Sequence, residues 1–140
     1  MEIKKIGKIV TGQDGAIWRG ELFRFDASGN GKVYDVADLN CEARPKAEFR
    51  LDKAELICPH SNSVCFGTKY YDEGDEYPIL YTNIYNNYSK SEDKLIGVTC
   101  VYRIERDGDS FKSTLVQLVE IGFVEDAELW RASAESHGVR

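Results

Sequence analysis

Apolar and polar residues alternate along much of this chain, and Val, Ile, Thr, Tyr and Phe recur in short runs bounded by Gly, Asn, Asp and Pro. That is the punctuation of strands and tight turns, so the pattern predicts an all-β, antiparallel protein. The clearest unit is Leu95 to Arg106 followed by Phe111 to Val124, joined by Asp107-Gly108-Asp109. Ile96, Val98, Cys100, Tyr102 and Ile104 share one face of the first segment, and Leu115, Gln117, Val119, Ile121 and Phe123 share one face of the second. A second hairpin runs from Leu22-Phe25 through Asp26-Ala-Ser-Gly-Asn-Gly31 to Lys32-Val36, with two glycines for positive φ. A third pairs Asn62 to Tyr70 with Tyr77 to Tyr85 around the acidic loop Asp72-Glu76. The Tyr77 segment also fits helical spacing, but its Tyr and Ile content and the Asn86-Asn87 stop favour a strand. Lys4 to Val10, Ala47 to Leu51 and Glu128 to Arg131 are short edge-strand or connecting candidates.

Composition narrows the functional classes. The 140 residues suffice for a single domain spanning 1–140 and one core. A net charge of −6 has the wrong sign for gripping nucleic-acid phosphates over a wide face. Apolar runs are too short to span a membrane as a helix, and the first residues carry lysines without an apolar region after them, so the expected setting is soluble and cytoplasmic. Residues 1–70 balance to +1 and residues 71–140 to −7, so only the second half would attract cations. Cys41, Cys58, Cys65 and Cys100 form no CxxC pair; reduced thiols are expected, with Cys65 and Cys100 as small core residues.

Several motifs have both a chemical and a plain structural reading. Asp26-Ala-Ser28-Gly-Asn30-Gly31 opens like a calcium loop, but its twelfth position is Ala37 where a bidentate carboxylate belongs, so a hairpin turn is expected. Asp72, Glu73, Asp75 and Glu76 could gather a hard cation, yet a solvated acidic loop is the plainer reading, and no metal or cofactor is expected. Gln13-Asp14-Gly15-Ala-Ile-Trp18 is one residue short of the Asp-box of sialidase-like propellers, and reads as a turn with a buried Trp18. His60 and Asn62 share strand parity with Val64 and Phe66 at the start of a strand, which suits a ligand-contacting pair at a mouth or two groups satisfying loop backbone. Tyr77, Tyr81, Tyr85 and Tyr88 with Asn83, Asn86 and Asn87 could stack on sugar rings or simply pack between strands. No catalytic triad or carboxylate pair is picked out by spacing.

The hairpin Leu22 to Val36, the strand start Pro59 to Gly67, and the run Asp75 to Tyr88 followed by Gly97 to Ile104 together resemble a group of uncharacterised bacterial β-propeller proteins. The likeness runs from Gly12 to Arg140 and corresponds to the N-terminal half of those longer chains. It implies propeller-like blades, and slightly favours His60 and Asn62 as pocket residues. A closed propeller needs at least four blades of about 40 residues, about 160 in all, so two to three unclosed blades are expected. A small β-sandwich or barrel is the alternative. The corresponding function is a binding or scaffold module for a carbohydrate or other small ligand, with candidate contacts His60, Asn62, Arg19, Arg24, Asn83 and Tyr85. The rival is a sialidase-like glycan hydrolase in which Arg19 or Arg24 holds a substrate carboxylate and residues beyond 140 complete the site. Open sheet edges imply self-association.

Overall fold

A computed structural model describes residues 3, 12–40, 43–57, 61, 63–84 and 98–120. The chain is all-β and antiparallel. Strands β1 (Asp14–Trp18), β2 (Glu21–Phe25), β3 (Asn30–Asp35) and β4 (Ala47–Arg50) form one up-and-down sheet in chain order. Strands β5 (Val64–Phe66), β6 (Leu80–Ile84), β7 (Val98–Asp107) and β8 (Ser110–Glu120) form the second. Among the described residues neither sheet closes on itself. A 3₁₀ turn at Val36–Asp38 and the single helical turn α1 (Ala54–Ile57) are the only helical pieces among the described residues.

Turn chemistry sets the register. Trp18 pairs with Glu21 across Arg19-Gly20, and both turn residues have positive φ (46° and 85°), the requirement of a type I′ hairpin. In the Gln13 to Trp18 segment, expected to be a turn with a buried Trp18, Asp14–Trp18 instead form strand β1, Trp18 is half-buried, and the turn comes one step later. In the β2–β3 loop, Asp26 does the shaping: its carboxylate accepts the Ser28 and Asn30 backbone N–H groups at 2.9 Å each, and the Asn30 side-chain amide at 2.9 Å. Those bonds, with Gly29 at φ 78°, make the expected hairpin loop. Between β7 and β8 the ladder closes at Asp107↔Ser110, and Gly108 takes φ 59° as the first residue of a two-residue turn.

The sheets face one another across one core. Phe23, Phe25 and Val33 from the first sheet meet Leu80, Cys100, Tyr102, Ile104, Phe111 and Leu115 from the second. Phe23 sits at the centre, with ring centroids of Phe66, Tyr77 and Phe111 at 5.2, 5.3 and 5.0 Å, all edge-on. This single shared core is the arrangement of a sandwich, while each sheet keeps the strand number and order of a propeller blade.

Both pairs of edges also meet. At the β1–β5 edge, Asp14 accepts the Val64 backbone N–H at 2.7 Å. At the β4–β8 edge, Ser110 donates to the Glu48 carbonyl at 2.9 Å, Asp52 N–H donates to the Ser113 hydroxyl at 2.8 Å, and Leu115 N–H donates to the Asp52 carboxylate at 2.9 Å. Among the described residues, side chains rather than a backbone ladder make these joints.

Two expected facings change. The β7–β8 register shifts between Val101 and Tyr102: Val101 pairs with Gln117 but Tyr102 pairs with Leu115, leaving Val116 as an extra residue. Leu115 keeps its core position, but beyond the bulge Leu118 packs on the core, opposite Cys100, while Gln117 is exposed and Val119 pairs with Thr99. Cys65 is exposed, because Val64 and Phe66 on either side of it turn towards the core. Cys100 is buried, and desolvation pushes its thiol up to about 12. Cys65 and Cys100 are free thiols; Cys41 and Cys58 lie outside the described residues, as do Lys4–Val10 and Glu128–Arg131.

Candidate functional site

Three of the six candidate contacts can be located. Arg19 is exposed at the tip of the β1–β2 turn, with its guanidinium 5.7 Å from the centre of the Trp18 ring. Arg24 lies in the middle of β2, between Gly15 of β1 and Lys32 of β3, on the face turned away from the core. Asn83 on β6 accepts the Ser63 backbone N–H at 3.0 Å and so fixes the start of β5. The structure does not bring these three together. His60, Asn62 and Tyr85 lie outside the described residues.

The densest cluster of charged groups lies where β2, the β5–β6 connection and the end of β7 meet. Glu21 begins β2 with its side chain on the core side, 9% exposed. Its carboxylate accepts Lys46 Nζ at 2.5 Å, the Tyr77 hydroxyl at 2.5 Å and Arg106 Nη2 at 3.3 Å. Arg106 also donates to the Tyr77 hydroxyl and grips Glu76 through Nε and Nη2 at 3.1 and 2.8 Å. Lys46 reaches on to Asp35 at 2.6 Å. The Arg106 guanidinium lies over the Tyr77 and Phe111 rings, 5.6 and 5.0 Å from their centres.

Burial works to raise the Glu21 carboxyl, but the hydrogen bonds from Lys46, Tyr77 and Arg106 more than offset it, and it ends below its ordinary value. Burial, then Glu21 as acceptor, pushes the Tyr77 hydroxyl well above the usual tyrosine range. A sialidase-like hydrolase would need an arginine cluster, a tyrosine nucleophile and acidic partners around one pocket, and this cluster holds residues of those types. Here the tyrosine is 2% exposed and held protonated, which is the opposite of an activated nucleophile. What the cluster does is join the two sheets.

The acidic loop is tied down in the same way. Arg103 on β7 donates to Asp75 through Nε and Nη2 at 3.2 and 2.6 Å, and reaches Asp72 at 3.1 Å and Glu105 at 3.4 Å. With Glu76 on Arg106, three of the loop's four carboxylates are paired with arginines, so the acidic loop is solvated as expected and also latched onto β7. Asp75 is held below the usual carboxylate range: burial opposes this, and the Arg103 hydrogen bond outweighs it. Among the described residues no group of three or more His, Cys, Asp or Glu is placed to hold a metal ion.

An aromatic surface borders this region. Trp18 is half-buried, 6.2 Å from Phe66 on its inner side and 6.5 Å from Tyr70, centre to centre. Tyr70 and Tyr71 are 37% and 54% exposed, and Arg103 lies 5.2 Å over the Tyr71 ring. The Trp18 Nε1–H is buried with no acceptor among the described residues. In the expected tyrosine stretch, Tyr77 belongs to the core, Tyr81 is half-buried and Tyr85 and Tyr88 lie outside the described residues.

Sequence reasoning missed Glu21, Lys46 and Arg106, since no local spacing joins residues 25 to 85 positions apart. The one available signal was Glu21 at the head of an otherwise apolar strand face. Comparison with protein-family models, curated proteins and solved structures gives no match.

Proposed function

We propose that the chain is a non-enzymatic binding module that recognises a carbohydrate or another small polar ligand. The observation carrying this reading is the exposed Tyr70 ring set edge-on to Trp18, with the Arg19 guanidinium flanking the indole. Exposed aromatic rings beside hydrogen-bond donors suit the apolar faces and hydroxyl edges of a sugar. Support also comes from the Glu21–Tyr77–Arg106 cluster, whose ionisable groups are all engaged with one another. Self-association through sheet edges draws less support, because β1 lies against β5 and β4 against β8.

Tryptophan fluorescence tests the proposal. In a Trp130→Phe background, Trp18 is the single reporter. Titration with a panel of neutral mono- and oligosaccharides should give a saturable change for at least one sugar, weakened about tenfold by Tyr70→Ala. A flat response across the panel, or one indifferent to Tyr70→Ala, overturns it.

A further inference from the structure

We infer that Arg103 is a positioning residue of the aromatic site, holding the loop that carries Tyr70 so that this ring stands against Trp18. That the placed rings bind a sugar rests on the proposed function; their placement rests on geometry alone.

The two rings come from different sheets. Trp18 ends β1, whereas Tyr70 belongs to the connection between β5 and β6. The β5–β6 pairing runs on past the strands, with Gly67 N–H donating to the Ile79 carbonyl at 2.8 Å and Ile79 N–H to the Lys69 carbonyl at 2.9 Å. Tyr70 is the next residue, where that pairing gives way to the turn at Asp72–Asp75. The position of Tyr70 therefore depends on what fixes the turn.

Arg103 fixes it. Its Nε and Nη2 both donate to Oδ1 of Asp75, at 3.2 and 2.6 Å, while Oδ2 of the same carboxylate accepts the Asp72 backbone N–H at 3.1 Å. One side chain thus closes the turn and moors it to β7. The Asp75 side chain is 5% exposed, so this ion pair is largely withdrawn from the water and salt that weaken surface pairs. Arg103 also lies over the Tyr71 ring and reaches Asp72, and so acts on both residues that follow Tyr70. A second arginine, Arg106, moors Glu76 just beyond the turn and Glu21, the cross-strand partner of Trp18. Arg106 joins the sheets as well, so Arg103 is the mooring whose loss can be read without disturbing the core.

A ring held in place before a ligand arrives spares the ordering that binding would otherwise require. Loosening the loop lowers affinity without removing a contact to the ligand. The bound arrangement stays the same, and only the fraction of free chains already in it falls.

Two measurements on the full chain keep the placement of the rings separate from sugar binding. In the ligand-free protein, nuclear Overhauser contacts between the Trp18 indole and the Tyr70 ring are expected. Arg103→Gln and Asp75→Asn should each reduce them by about half or more, while leaving those between Phe23 and Phe111 intact. Undiminished Trp18–Tyr70 contacts in either variant overturn the inference, whatever the chain binds. So does a loss that extends to Phe23 and Phe111 in both, which would mark a general structural role. For any sugar that saturates the Trp18 signal, Arg103→Gln should raise Kd about fivefold or more and leave the fluorescence change at saturation as in the parent. An unchanged Kd overturns the positioning role. No saturation of the parent by any sugar overturns the carbohydrate reading instead, and the ligand-free contacts then decide the placement by themselves.

Discussion

Tyr77 donates its hydroxyl to Glu21 at 2.5 Å, from the second half of the chain to the first, across 56 positions of sequence. The ring of Tyr77 belongs to the apolar core and its hydroxyl to the ionic cluster, so one side chain serves both systems that hold the sheets together.

Tyr77→Phe keeps the ring packing and deletes two charge-assisted hydrogen bonds, the one given to Glu21 and the one taken from Arg106. We expect a loss of at least about 1.5–3 kcal/mol in urea unfolding, the usual range for one bond to a charged group. A change within a few tenths of a kcal/mol would mean that Lys46 and Arg106 already satisfy Glu21 without it.

Acid should weaken the same joint. The folded-state pKa of Glu21 lies below its ordinary value of 4.5, and so does that of Glu76, where the Arg106 hydrogen bond is the main cause. A depressed carboxyl stabilises fully above its unfolded value, and its contribution disappears as pH falls through the folded one. Thermal unfolding should therefore fall steeply as pH drops below 4.5, and Glu21→Gln should start lower and fall less steeply. Parallel curves for the two proteins would remove Glu21 from the acid response.

Arg103→Gln should free the loop between β5 and β6 without unfolding the sheets. Limited proteolysis is expected to cut within residues 67–79 faster than in the parent, while the melting temperature changes by only a few degrees, since Arg103 is a partly exposed cation. Unchanged cleavage would show that Tyr77 and the core hold the loop by themselves.

The bulge at Val116 yields a contrast between neighbours. Leu118→Asp places a carboxylate against the core beside Cys100 and should cost several kcal/mol, about 3 or more. Val119→Asp, on the opposite face across from Thr99, should cost less than half of that. Equal effects in chemical denaturation would contradict the observed register.

This contrast also shows where the sequence stops being informative. Alternation places Val98, Cys100, Tyr102, Ile104 and Leu115 correctly, because side-chain parity is local and the Gly108 turn announces the hairpin. A bulge breaks parity without leaving a composition signal, so Gln117 and Val119 were assigned to the wrong face. Arg24 was identifiable as a candidate by residue type alone. Its burial on the outward face of β2 depends on the folded register, which residue type does not reveal. The latching of the acidic loop is hidden for the same reason: its partners Arg103 and Arg106 lie about thirty residues downstream, where no local pattern connects them.

Ser110, Ser113 and Asp52 give the joint between the sheets an unusual kind of information content. A backbone ladder would accept any register related by whole residue pairs, since every peptide group offers the same donor and acceptor. Each hydrogen bond of this joint names one atom of one side chain instead. At this edge the offset of one sheet on the other is thus written in three side chains, outside both meanders' own ladders. Substitutions at Ser110, Ser113 and Asp52 can therefore move this edge of one sheet along the other while leaving every strand pairing intact.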